Sequence, residues 1–209
     1  MASRNHSERA IQPDQKSAHS ARTLNHRQRG TFSRNQIMKF NPPHSVSIAH
    51  ETVELDVTYE RFIKNFENIL GRFDPAVATM FADNPLQADE AMKQMEGEQN
   101  LMIFSSQDHG ALLLLAGQTR KAVRYILGNP RVALQMTQHD VRAGLYVPLS
   151  VLVYEVSENA VLVEFDRPSS LLGQFKDPKV TDVARGLDVK LARIIEKAAQ
   201  LSQEESTSS

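Results

Sequence analysis

The sequence predicts an α+β domain: an antiparallel sheet of about five strands with two long helices packed on one face, plus a short helical insertion. Three observations carry this. Two long amphipathic periods, residues 59–70 and 178–201, bracket the segment in which the strand signals cluster. Two runs near residues 147–154 and 161–166 alternate with period two around Ser157-Glu158-Asn159, the pattern of a hairpin. Asp74-Pro75, Asn84-Pro85, Asn129-Pro130 and Asp177-Pro178 each read as a helix start. Asn or Asp accepts a hydrogen bond from an orphan first-turn amide, and proline suits the next position, where no amide is needed.

The elements follow in order. Residues 48–58 are rich in β-formers (Thr52, Val53, Val57) and predict a strand before the first helix. That helix is set by Tyr59, Phe62, Ile63, Phe66, Ile69 and Leu70, with Gly71 as its stop. Residues 75–82 and 85–96 predict two short helices, the insertion. Residues 101–106 and 121–127 predict short strands, and the apolar run 111–116 between them reads as a strand or a buried turn. A helix follows Asn129-Pro130 and ends near His139-Asp140, where an imidazole suits the last carbonyls. In the hairpin Val151 and Val163 fall on one face, Leu152 and Leu162 on the other. Asp166-Arg167-Pro168 should form a local ion pair and a break. The last helix carries Val180, Val183, Ala184, Leu187, Leu191, Ile194, Ile195, Ala198 and Leu201 at spacings of three and four, then gives way to a polar tail, 203–209. There is no internal repeat, and strands clustered in this order exclude a nucleotide-binding parallel sheet.

Charge separates the parts of the chain. Residues 1–40 hold eight Lys and Arg against two acids, a net of +6, and the remainder nets −7. The first forty residues have few large apolar side chains and no hydrophobic period, so a disordered basic tail is expected there, ahead of a single domain over 45–202. That tail has only Phe32 and Phe40 as aromatics and a dilute charge, which argues against nucleic acid as a partner. With no cysteine, disulfides, thiolate metal sites and cysteine nucleophiles are excluded. No stretch approaches the ~20 apolar residues of a membrane span. The start has no apolar signal core, so a cytoplasmic location is expected, the sequon Asn5-His6-Ser7 being a chance match. Its Arg- and Ser-rich composition leaves the mitochondrial matrix as the alternative.

Two constellations could carry chemistry. Asp108-His109-Gly110 follows a strand. It reads either as an imidazole oriented by a carboxylate, able to act as base or ligand, or as a turn in which Asp108 caps and His109 satisfies a carbonyl. Gly128-Asn129-Pro130 opens a helix just after a strand, where free amides attract anions, with Arg120, Lys121, Arg124 and Arg131 close in sequence. Its plainer reading is a capped turn with solvated basic neighbours. No His-x-x-x-His spacing, Gly-x-Ser-x-Gly elbow, P-loop or dinucleotide fingerprint occurs, so the sequence points to no metal site, leaves the cofactor unknown and holds no recognisable catalytic motif.

These segments, Asp108-His109, Gly128-Asn129-Pro130, the strand through Val151-Leu152-Val153-Tyr154-Glu155 and the strand end Phe165-Asp166-Arg167-Pro168, resemble the family known as domain of unknown function 302. The resemblance spans about residues 45–200. The chain departs from it at Val132-Ala133-Leu134, where short bacterial members have small residues, and in the insertion, which they lack. The resemblance implies a compact fold of the TATA-binding-protein-like kind and a dimer, with no established activity. A homodimer is expected on physical grounds too, because helices on one sheet face leave an apolar second face uncovered. The functional expectation is a homodimeric small-ligand-binding or structural module with Asp108, His109, Arg124, Gly128, Asn129 and Arg131 around one pocket for a small anionic ligand. The alternatives are an enzyme using His109 as base and Asp108 as its orienter, or a nucleic-acid-associated protein tethered by its tail.

Overall fold

A computed structural model describes residues 39–207. The expected tail lies, up to residue 38, outside the described residues, as do positions 208 and 209. Residues 39–43 carry no regular structure, and the compact folded unit begins at His44.

Six strands form one sheet in the order β1-β6-β5-β4-β3-β2. They are β1 (His50–Leu55), β2 (Gly71–Arg72), β3 (Met102–Asp108), β4 (Ala122–Gly128), β5 (Leu149–Ser157) and β6 (Ala160–Asp166). All pairings are antiparallel except that of the two-residue β2, which runs parallel to β3. The α+β class therefore stands, with one more strand than expected and a parallel edge. The β5-β6 hairpin forms as its alternation predicts, Val153 facing Val163 across the ladder.

Two long helices, α1 (Tyr59–Ile69) and α6 (Pro178–Thr207), cover one face. Phe62 and Phe66, one turn apart on α1, stack at 5.4 Å between ring centroids, and Phe66 meets Tyr125 of β4 at 5.3 Å. Leu187, Leu191, Ile194 and Ala198 supply the matching stripe of α6. Each large side chain moved from water into this layer contributes about 1.5–3 kcal/mol. The hydroxyl of Tyr125 donates to Glu67 Oε1 at 2.7 Å, so the buried ring brings its polar atom to a partner.

The remaining helices are α2 (Pro85–Gln94), α3 (His109–Leu113), α4 (Pro130–Thr137) and α5 (Pro168–Leu172). The insertion forms as expected: a 3-10 turn, Pro75–Met80, and α2 share a small core of Val77, Ala88 and Met92. It closes back on β2 so tightly that a Cβ on Gly71 would lie 1.8 Å from the carbonyl oxygen of Met95, a position only glycine can fill.

Four local expectations are corrected. The apolar run 111–116 is neither strand nor buried turn. It is α3 and a 3-10 turn, Leu114–Ala116, with Leu112, Leu114 and Leu115 exposed. Asp108 starts it, because its carboxylate accepts from the Ala111 amide at 2.8 Å. The polar tail is helical through Thr207 rather than ending at 203, since α1 holds that last stretch: Asn65 Nδ2 donates to Ser202 Oγ at 3.1 Å, Lys64 pairs with Glu205 at 3.1 Å, and Arg61 donates to Ser206. His139 is exposed, and Asp140 caps the following 3-10 turn, Val141–Leu145, through the Arg142 amide at 2.9 Å. Asp166 and Arg167 form no local pair. They bind across the strands, to His50 and Glu51 of β1.

Candidate functional site

The uncovered face of the sheet is the place to look for a site, because its side chains alternate with the core. Arg124 and Ile126 of β4, Ser150, Leu152 and Tyr154 of β5, Leu162 and Glu164 of β6, and His50, Thr52 and Glu54 of β1 all point there. One row across the strands reads Arg124, Leu152, Glu164, Thr52. Helix α3 borders this face. A Cβ on Gly110 would stand 2.4 Å from the carbonyl oxygen of Arg120, so glycine sets how closely α3 approaches the chain entering β4.

Between α3 and the sheet lies an open groove of about 710 Å³. Leu112, Leu113, Ala122 and Leu152 give it apolar walls, with His109, Arg120, Lys121 and Arg124 toward one side and His50, Tyr154, Glu164 and Asp166 toward the other. A concavity of this size whose lining surface is mostly carbon, with charged groups along both sides, has the anatomy of a small-ligand site.

The charges in it are unequally neutralised. Lys121 lies 2.6 Å from Glu60 and 2.7 Å from Glu155, which hold its ammonium well above the usual lysine range. His50 Nδ1 is 2.9 Å from Asp166 and Nε2 is 3.6 Å from Glu164; the hydrogen bond to Asp166 is the chief reason its imidazole is raised above 6.5. Tyr154 donates to Glu164 at 2.7 Å, which pushes its phenol up. Among the described residues Arg124 has only neutral partners, Ser150 Oγ at 2.9 Å from Nε and Gln107 Oε1 at 3.4 Å from Nη1. Arg120 makes no ion pair among the described residues. Two guanidinium groups thus meet no carboxylate among the described residues.

The structure divides the residues singled out in the sequence. His109 and Arg124 come together at this groove, and Asp108 stands just outside it at the start of α3. His109 lines it, half-buried, with no side-chain hydrogen bond among the described residues, and the Asp108 carboxylate is used as a helix cap rather than on the imidazole. Gly128, Asn129 and Arg131 are elsewhere. Along the β3-β4 ladder Asp108 pairs with Val123 and Met102 with Gly128, which puts the two motifs five residues apart, about 17 Å. Arg120, Lys121 and Arg124 sit with the Asp108 end, so the basic cluster near Gly128-Asn129-Pro130 in sequence is not beside it in space.

At that far end the Asn129 amide is fully occupied. Its oxygen accepts from the Arg131 amide at 2.8 Å, and its nitrogen donates to Glu96 Oε1 at 2.7 Å and to the Asn100 carbonyl at 2.8 Å. Arg131 binds Asp89 at 2.6 Å and Glu96 at 2.9 Å. Burial pushes the Glu96 carboxyl up, but the hydrogen bonds from Asn129, Arg131 and Asn100 outweigh it and hold the group below the usual carboxylate range. This cluster clamps the insertion onto the start of α4. The cavity behind it, about 190 Å³, is lined by apolar side chains such as Phe104, Leu127 and Met136.

Sequence reasoning missed His50, Tyr154, Glu164 and Asp166 as groove residues. Their alternation places them on the second sheet face, but only the pairing of β1 with β6 brings His50 to Asp166. Among the described residues no three His, Asp or Glu side chains converge as a metal ion would need, and no helix is long and apolar enough to cross a membrane.

Comparison with known proteins agrees with the architecture. The model of the family described as domain of unknown function DUF302 matches residues 78–198, and the chain belongs to that family. A crystal structure of an uncharacterized conserved DUF302 protein from Bacillus stearothermophilus is similar to it with a TM-score of 0.51 and 17% identity, over 71% of this chain and 97% of that one. No curated protein matches the chain.

Proposed function

We propose that this chain is a non-catalytic, homodimeric ligand-binding module whose groove takes a small organic anion with an apolar body. The observation that carries the reading is the pair Arg120 and Arg124, which line the groove without a carboxylate partner among the described residues. A guanidinium binds a carboxylate or phosphate through parallel N–H donors. His109 beside them offers a ring N–H donor of its own, while Leu112, Leu113 and Leu152 would take the apolar body.

Absence of a recognisable catalytic motif supports binding over turnover. The use of Asp108 as a cap leaves His109 without the orienting carboxylate that acid–base chemistry would want.

The test is a thermal-shift screen against monocarboxylates of increasing chain length and simple phosphate monoesters. A ligand at a hundred times its Kd adds about 2.7 kcal/mol of stability. Arg124→Gln should abolish the shift and His109→Ala should weaken it, both with near-native melting in the absence of ligand. A panel with no response, or a response that Arg124→Gln leaves intact, rejects the reading. Light scattering on the same samples tests the dimer.

A further inference from the structure

We propose that a second copy of this chain pairs along the outer edge of β1, antiparallel and two-fold about Thr52, so that His50 stands opposite Glu54 of the partner subunit. The inference rests on the homodimer reading and moves its surface: the open face holds the groove and carries charged side chains such as Arg124 and Glu164, so the contact falls to the sheet edge rather than to that face.

β1 is one of two strands at the rim of the sheet. The other rim strand, β2, has two residues, and so short an edge offers little to pair with. β1 has six, without proline, lysine or a break in its register against β6. Such an edge is a template for another strand.

The direction of its hydrogen-bonding groups follows from one anchor. The carbonyl of Ala49 accepts from the Arg167 amide at 2.8 Å, and its amide donates to Ser170 Oγ at 3.0 Å, so residue 49 faces β6 with both groups. In an antiparallel ladder that orientation alternates, which turns Glu51, Val53 and Leu55 toward β6 and His50, Thr52 and Glu54 outward. Among the described residues no backbone hydrogen bond outside the sheet uses the outward groups.

Symmetry then restricts the register. A two-fold axis normal to the sheet keeps every side chain on its own face, so Thr52 can meet only His50, Thr52 or Glu54 of the other copy. Centring on Glu51 would set Glu54 against Ile48, without an opposite charge. Centring on Val53 would set Glu54 against Thr52. Centring on Thr52 sets His50 against Glu54 twice, Thr52 against Thr52, and Val53 against Glu51. Glu54 has no ion pair among the described residues, whereas Glu51 is already neutralised by Arg167. Opposite charges directly across a ladder favour a pairing, and like charges oppose it. Beneath the edge a second groove of about 570 Å³ runs between β1 and α6, lined by Val53, Leu55, Ile195 and Ala199. It gives the joined edge apolar surface to close over.

The chain has no cysteine, so one introduced thiol reports the register by itself. Across a two-fold at Thr52 the Cα atoms would stand about 5.5 Å apart, within the ~4.4–6.8 Å that a disulfide spans. Mild oxidation of Thr52→Cys should give a covalent dimer on a non-reducing gel, while Glu54→Cys, about 14 Å from its counterpart, should not. Thr52→Pro removes an outward amide and no rung of the β1-β6 ladder. It should raise the dimer dissociation constant at least tenfold with the thermal melt retained. A dimer in light scattering that neither crosslinks through Thr52→Cys nor weakens in Thr52→Pro overturns the edge pairing and leaves the homodimer standing. A monomeric wild-type chain at micromolar concentration overturns both.

Discussion

Asn129→Ala separates the two roles that Gly128-Asn129-Pro130 could play, since a clamp and an anion site respond to it differently. The side chain makes three hydrogen bonds at 2.7–2.8 Å, and the residue is 4% exposed. Loss of the cap to the Arg131 amide costs about 1 kcal/mol. A hydrogen bond to a charged acceptor such as Glu96 contributes about 1.5–3 kcal/mol, with the low end fitting here because Arg131 and Asn100 still hold that carboxylate. The bond to the Asn100 carbonyl adds about 1 kcal/mol. Contributions sharing one network do not sum fully, so the expected loss is about 3 kcal/mol. For a domain of this size that lowers Tm by about 6–12 °C. Differential scanning calorimetry measures it directly. Asn129→Asp keeps the capping oxygen but sets a second carboxylate against Glu96, and should cost at least as much. A Tm drop below about 2 °C in both variants would refute the clamp. So would a small drop accompanied by loss of anion binding.

Three further outcomes follow from the same geometry. The Glu96 carboxyl is held below its ordinary value of 4.5, so its contribution to stability is complete above that pH and is lost as pH falls through the lower folded value; Glu96→Gln should flatten this acid limb in urea melts at graded pH. His50 is raised above 6.5, so the stability it lends β1 is present below 6.5 and fades as pH rises through the folded value; an NMR titration should show the raised value, and Asp166→Asn should bring it down. Gly110→Ala would force α3 off the Arg120 carbonyl and should cost about 1–3 kcal/mol by chemical denaturation while weakening any ligand of the groove; unchanged stability would show that α3 is not held by that approach.

Features encoded locally were legible in the sequence. The spacing of Phe62, Ile63, Phe66 and Ile69 needs no distant partner to mark a helix face, and the Asx-Pro starts cap with their own side chains at Asp74, Asn129 and Asp177, though not at Asn84. The hairpin alternation likewise placed Leu152 and Leu162 on the face opposite Val151 and Val163. The run 111–116 was misread because a short apolar stretch is ambiguous between helix and strand; the deciding contacts were a cap from Asp108 and the close approach of Gly110 to Arg120. The end of α6 was set too early because its last turns are held by Asn65, Lys64 and Arg61 of α1, more than a hundred residues away in the chain.

The candidate site shows the same division more sharply. By itself the sequence determined the α+β class, the positions of the two long helices and of the hairpin, and the basic and imidazole groups available for an anion, because each depends on neighbours within a turn or a strand. Only the tertiary structure decided which of those groups share a groove. Strand β4 carries Arg124 toward His109 and Gly128 away from it, and β1 crosses to β6 to set His50 beside an aspartate 116 residues later. Strand order and register arise from long-range packing of the two faces, and no local pattern records them.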